Sequence, residues 1–192
     1  EIRIPKPPPT PPDCDRGVHN GIDKILEQTA ATGESIEFLS HGPTVGTNAV
    51  LENEIPDLGL ITNQGLRDVL EIGDQTRPEL YNLQTDKPPH LIPRRLRKEV
   101  PARLDSRGNV IDELDEAVAR EVTEELVDEN VDAIVVSMLF SYLNDSHEQA
   151  IGDIIEAVDP EMNYALSSEI HPEIREYDRT ITTVLNEAIK TT

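Results

Sequence analysis

The sequence predicts an α/β fold in which strands and helices alternate around a mostly parallel sheet. Two observations carry this. Short apolar runs at 36–39, 58–62, 133–140 and 164–168 are separated by longer segments with helical spacing of their apolar residues. The run at 133–140, AIVVSMLF, is nearly all apolar, as a strand covered by helices on both faces should be.

Taken in order, residues 5–12 (PKPPPTPP) read as an extended connector, because proline supplies no N–H and fixes its own φ. The EIRI before them looks like the end of a strand, so the chain is expected to begin partway through a domain. Asp13 or Asp15 can cap a helix running to about Ala31, with Val18, Ile22, Ile25 and Leu26 on one face; Gly33 ends it. The strand at 36–39 then feeds a helix that stops near Pro56, and 58–62 is the next buried strand. Residues 63–73 read as a short helix. From 74 to 112 the chain is rich in Pro and Arg and lacks a sustained period, so it is expected as an insertion with antiparallel strands at 96–104 and 110–111 around a turn at SRGN. Helices follow at 114–129, 145–158 and from Pro172 toward Lys190, where Pro172 suits a first helical turn. No internal repeat is present. A chain of 192 residues with this pattern predicts one domain over 1–192.

Composition narrows the function classes. Lys and Arg total 17 against 38 Asp and Glu, a formal net charge of −21. Such a surface disfavours nucleic acid and anionic membrane as partners. The acid is spread along the chain and the apolar segments survive it, which argues for a folded acidic surface rather than disorder. High salt screens self-repulsion, so a halophilic cytoplasm is the expectation. Cys14 is the only cysteine, which excludes an intrachain disulfide, and its neighbours Asp13 and Asp15 disfavour a thiolate. No apolar run approaches the roughly 20 residues needed to span a bilayer.

The stretch 40–52, SHGPTVGTNAVLE, is a strand-to-helix elbow. Gly42 and Gly46 let a ligand approach the backbone, Thr44 and Thr47 offer hydroxyls, and a helix start supplies unpaired N–H groups, together an anion- or amide-binding corner. The alternative is a plain helix cap at Ser40 or Thr44. His41 stands at the C-terminal edge of the strand, where it can donate to a substrate oxygen or relay a proton; Asn48 shares the elbow. In GLRDVLEIGDQTRP, Arg67, Asp68 and Glu71 have helical spacing, so Arg67 and Glu71 can pair. In IREYDRT, Arg175 and Arg179 are four apart and can jointly hold a carboxylate or phosphate, with Glu176 and Asp178 as partners; a structural ion-pair network is the alternative. His19 with Asp23, and Glu169, His171 and Glu173, form no closed set of metal ligands, and no metal is assigned to these residues.

Four motifs in register, SHGPTVGTNAVLE (40–52), LGLITNQGLRDVLEIGDQTRPELYNL (58–83), PRRLRKEVPARLDSRGNV (93–110) and SSEIHPEIREYDRTITTVLN (167–186), resemble the N-terminal region of the hydantoinase A / 5-oxoprolinase family. The likeness runs from about residue 5 to the end. It implies a fold similar to part of an actin/sugar-kinase-like, ribonuclease H-like domain, in a fragment of a longer chain. It implies ATP- and Mg²⁺-assisted opening of a hydantoin or 5-oxoproline-like ring, with His41 catalytic and Thr44, Thr47, Asn48, Arg67, Asp68, Arg175 and Arg179 binding substrate or nucleotide. It further implies a remaining catalytic domain and a second subunit as partners. The family's elbow reads His-Gly-Thr-Thr-Val-Ala-Thr-Asn; here Pro43 and Gly46 replace the first Thr and the Ala. Where the family usually carries an arginine this chain has Asp74, so that positive ligand contact is either lost or supplied by Arg77. The family's upstream phosphate loop is not in this sequence, so the chain by itself is expected to be inactive. Alternatives are an acetone-carboxylase-type β subunit and a non-catalytic interaction domain.

Overall fold

The structure, a computed structural model, describes residues 14–29, 55–76, 81–82, 84 and 90–191. By internal contacts the chain divides into two compact units, Glu1–Pro43 and Thr44–Thr192. In the first unit the described element is helix α1 (Cys14–Thr29), with Ile22 and Leu26 half-buried. The expected strand at 36–39 and the elbow at 40–52 lie outside the described residues.

The second unit is built on a four-stranded parallel sheet ordered β2-β1-β5-β6. These strands are β1 (Leu58–Asn63), β2 (Arg97–Val100), β5 (Ala133–Ser137) and β6 (Asn163–Leu166). Every residue of β1 and of β5 is buried, which is why both read as largely apolar runs, with the polar residues Thr62, Asn63 and Ser137 confined to their C-terminal ends. Leu58 pairs with Ala133, Leu60 with Arg97 and Ala133 with Asn163. A two-stranded antiparallel ribbon joins β3 (Arg103–Leu104) to β4 (Val110–Asp112).

Helices cover both faces of the sheet. Gly59 faces α3 (Glu116–Asp128): a Cβ built there would stand 2.9 Å from both δ carbons of Leu126. Ser137, on the opposite face, bonds Thr180 of α6 (Glu176–Thr191) at 2.7 Å. Helix α4 (Ser146–Val158) packs beside α3. Asp115 caps α3, its Oδ1 accepting from the amides of Ala117 and Val118 at 3.1 Å each.

Four expectations are corrected. The helix expected over 63–73 shrinks to α2 (Val69–Ile72), because Gly65 at φ 89° turns the chain first. The segment 96–104 is no single antiparallel strand: a 3₁₀ turn (Arg94–Leu96) leads into β2, which runs parallel to β1, and Arg103–Leu104 alone forms the ribbon. Pro101, with no N–H to give, separates the two parts. The turn at SRGN does form, with Asp105 accepting from the amides of Arg107 and Asn109 at 2.8 and 2.9 Å. The strand over 133–140 stops at Ser137, since Phe140 takes φ 61°. Helix α6 begins at Glu176 and not at Pro172; 167–170 is a separate turn, α5 (Ser167–Ile170), and Arg175 at φ 85° cannot be helical. No helix among the described residues is long and apolar enough to cross a membrane.

Candidate functional site: a cleft at the C-terminal edge of the sheet

After β1 the chain moves outward to β2, and after β5 it moves outward the other way to β6. Between the C-terminal ends of β1 and β5 the connections therefore diverge, and α/β sheets open their ligand crevices at that point. A cleft of about 610 Å³ lies there. One wall follows β1: Gly65, Leu66, Asp68, Val69, Ile72, Gly73 and Asp74. The other combines Leu139, just past β5, with Arg175–Asp178 at the entry to α6.

Local sequence explains each wall. Gly65 carries φ 89° with open space where a side chain would stand, so it supplies the turn and leaves backbone exposed to the cleft. Gly73, at φ 58°, has the Tyr177 ring 3.5 Å from where a Cβ would be, which fits the ring against the opposite wall. Asn63 ends β1 by accepting from the Leu139 amide at 2.6 Å, fixing the start of the second wall to the first strand.

The charges around the cleft are largely paired within the protein. Asp68 accepts from Arg94 through both oxygens, at 3.0 and 3.1 Å, and this bond holds its carboxyl below the usual range. The Gly65 amide donates to Glu99 at 2.7 Å, and Arg67 pairs with the same carboxylate at 3.7 Å. Glu71 meets buried Arg97 at 3.2 Å and His90 at 3.1 Å; burial would raise its pKa, but these two hydrogen bonds hold it low. Asp74 accepts from the Thr76 amide and hydroxyl at 3.0 and 2.7 Å. Arg175, 80 % exposed, pairs with Asp178 at 3.7 Å.

The predicted residues separate accordingly. Asp68 and Arg175 line the cleft; Arg67 does not, and its partner is Glu99 in place of Glu71. Arg175 and Arg179 do not share a face. Arg175 precedes the helix in a left-handed turn, whereas Arg179 is fully buried, with Nε on Ser167 Oγ at 3.1 Å, Nη1 on Glu173 O at 2.9 Å and Nη2 on Met138 O at 2.9 Å. The joint grip expected of the two is not formed. His41, Thr44, Thr47, Asn48 and Arg77 lie outside the described residues. Sequence reasoning missed Tyr177, Leu139, Gly65 and Gly73; glycines flanking a buried strand's exit were the available signal.

ATP is the group the resemblance implies, and the described wall does not fit its triphosphate. Four carboxylates, Asp68, Asp74, Glu176 and Asp178, line it against the single guanidinium of Arg175, and the Gly65 amide is engaged by Glu99. The wall's apolar floor (Leu66, Val69, Ile72, Leu139, Tyr177) suits a neutral, compact ring better.

The family model for the hydantoinase/oxoprolinase N-terminal region matches residues 1–159. The chain belongs to this family. An uncharacterised protein of Methanocaldococcus jannaschii is 39% identical across 99% of the chain and 28% of that protein. The crystal structure of the ATP-dependent caprolactamase from Pseudomonas jessenii matches with a TM-score of 0.82 and 31% identity over 97% of the chain. The nucleotide-free structure of acetone carboxylase matches with a TM-score of 0.82 and 27% identity over 95%. The α/β class with its mostly parallel sheet, and the actin-like, ribonuclease H-like kinship expected of it, hold across the caprolactamase match. This hydantoinase/oxoprolinase N-terminal region spans 28% of each of these three proteins. Caprolactamase subunit alpha and the acetone carboxylase beta subunit are, by name, components of larger assemblies.

Proposed function

We propose that this chain is the N-terminal part of an ATP-dependent cyclic-amide hydrolase, and that its cleft forms one wall of the site that receives the ring. The observation that carries the reading is the cleft's position at the divergence of β1 and β5, with an apolar floor, on a chain 31% identical to an ATP-dependent caprolactamase. Asp68 and Arg175 are proposed to border the ring, with Arg67 fixing the Gly65 turn beside it. His41 is proposed to handle a proton, and Thr44, Thr47 and Asn48 to bind nucleotide or substrate. The nucleotide's phosphates, with Mg²⁺, would be held by residues other than the described wall, and the remaining catalytic domain and a second subunit would complete the site. A net charge of −21 supports a high-salt cytoplasm as its setting.

A second reading has its own support: the acetone carboxylase structure matches equally well by TM-score, so a ketone-carboxylating subunit is the competitor. The deciding experiment assays the full-length protein for phosphate release and ring opening with caprolactam, 5-oxoproline and hydantoin, and for acetone carboxylation with bicarbonate. ATP-dependent ring opening, weakened by Ile72→Trp across the cleft mouth, is expected. Carboxylation without ring opening would replace the hydrolase reading. The 192-residue chain tested separately is expected to be inactive, because phosphoryl transfer depends on several converging groups. Turnover by that chain, abolished by His41→Ala, would place the whole active site within it.

A further inference from the structure

Behind the cleft lies a buried polar cluster that none of these roles uses. Arg179 and Glu148 are both 0% exposed and come from α6 and α4. They meet through one hydroxyl: Ser167 Oγ donates to Glu148 Oε1 at 2.6 Å and accepts from Arg179 Nε at 3.1 Å. The same carboxylate accepts from the amides of Met138, at 2.7 Å, and Ser168, at 2.8 Å. Arg179 accounts for the carbonyl of Met138 and the carbonyl of Glu173, and its guanidinium lies 5.6 Å from the centre of the Tyr142 ring.

The placement of those two carbonyls is what gives the cluster a function. Met138 immediately precedes Leu139, and Glu173 stands two residues before Arg175; Leu139 and Arg175–Asp178 are the second wall of the cleft. A crevice too narrow for water runs from Arg179 to Leu66, Leu139 and Glu176, all cleft-lining residues. Both held segments also contain a strained residue, Phe140 at φ 61° and Arg175 at φ 85°. Non-glycine residues keep such angles only where their surroundings over-determine them, and the strain gathers at ligand sites.

We infer that Arg179, with Glu148 as its counter-charge through Ser167, is the positioning residue of this cleft, clamping segments 138–140 and 173–175 at the separation that receives the ring. It acts through the backbone it holds and does not touch the ligand. The inference rests on the cleft being the ring site. Lysine keeps the charge but lacks the planar fork that reaches three acceptors at once, so Arg179→Lys releases at least one segment.

The test uses the full-length protein and three variants: Arg179→Lys, Glu148→Gln, and Val184→Ala as a control that loosens the buried side of the same helix. Hydrogen exchange in Arg179→Lys is expected to accelerate in 138–140 and 173–177 together, and in Val184→Ala in neither. With whichever ring the protein opens, Arg179→Lys should raise KM about tenfold or more with kcat little changed, because a misplaced wall weakens binding before it touches chemistry. Val184→Ala should keep the wild-type KM even when its thermal midpoint falls as far. Where Arg179→Lys fails to fold, Glu148→Gln carries the test: an amide cannot accept from both Met138 and Ser168 as the carboxylate does, so exchange at 138–140 and KM should both rise. Unchanged exchange in these segments, or KM no different from that of Val184→Ala, overturns the clamp. Ile72→Trp leaving KM unmoved would instead remove the cleft from ring binding, and the exchange pattern would still decide whether the clamp exists.

Discussion

A Cβ added at Gly59 would collide with Leu126 of α3, and changing this glycine to alanine gives a cost that can be worked out. The added Cβ would sit 2.9 Å from both δ carbons of Leu126 and 3.3 Å from its Cγ. Carbon atoms in contact prefer about 3.5–4.0 Å, so two atoms must retreat by roughly 0.6 Å or more. Leu126 is fully buried and has no open side to move into. Overpacking of this kind costs about 1–3 kcal/mol, offset by about 0.4–1 kcal/mol from stiffening the unfolded chain, which leaves a loss of about 1–2 kcal/mol. Leu126→Ala alone should cost about 2–5 kcal/mol through the cavity it leaves. In the double variant the new methyl occupies part of that cavity, so the two losses should fall short of additivity by about 1 kcal/mol. Urea denaturation followed by far-ultraviolet circular dichroism, with m-values checked for constancy, measures all three. Losses that add within about 0.5 kcal/mol would show that the two side chains do not compete for the same space, and the packing argument would fail.

Two further outcomes follow from charge. His147 is 4% exposed, and neither ring nitrogen has a hydrogen-bond partner among the described residues; burial lowers its pKa from 6.5, with Glu113 pulling weakly the other way. The folded state therefore binds this proton less readily than the unfolded state, so stability is unaffected above about pH 6.5 and is lost as pH falls below it, by at most about 1.4 kcal/mol per pH unit. The wild-type minus His147→Leu difference in unfolding free energy should slope in that direction between pH 6.5 and 5, and a flat difference would mean the imidazole is not buried neutral. The charge of −21 predicts a thermal midpoint that climbs between about 0.1 and 2 M KCl, as the screening length shrinks from about 10 Å to 3 Å or less; a constant midpoint would refute the high-salt reading.

What the sequence made legible is the part governed by neighbours along the chain. The apolar run at 133–140 located β5, the stripe of Leu114, Val118, Val122 and Leu126 located α3, and the SRGN turn formed where its residues placed it. Distant partners decided the rest. β2 joins the sheet because β1 accepts it in parallel register, and nothing within RKEV announces that direction. The helical spacing that put Arg175 and Arg179 together presumed that both were helical; the left-handed turn at Arg175 breaks the presumption, and Arg179 is drawn inward by the carbonyl of Met138, 41 residues away. Asp68, expected as a binding residue, lines the cleft, but its partner Arg94 stands 26 residues on, beyond any local pairing rule. The elbow residues carry the family likeness and lie outside the described part of the structure.

The register of the central strand also sets a clock. Thr62 of β1 reaches the carbonyl of Ser137 across 75 residues, and Leu58 waits equally long for Ala133. At about 5–20 residues per second of synthesis, LGLITN emerges roughly 4–15 s before its β5 partner exists. Through that interval six residues destined for full burial have β2 alone to pair with in this sheet, and that strand is itself some 35 residues behind. A nascent chain of this kind is exposed to sticking while it is made, and the dense acidic charge around its apolar strands would keep neighbouring copies apart until β5 arrives.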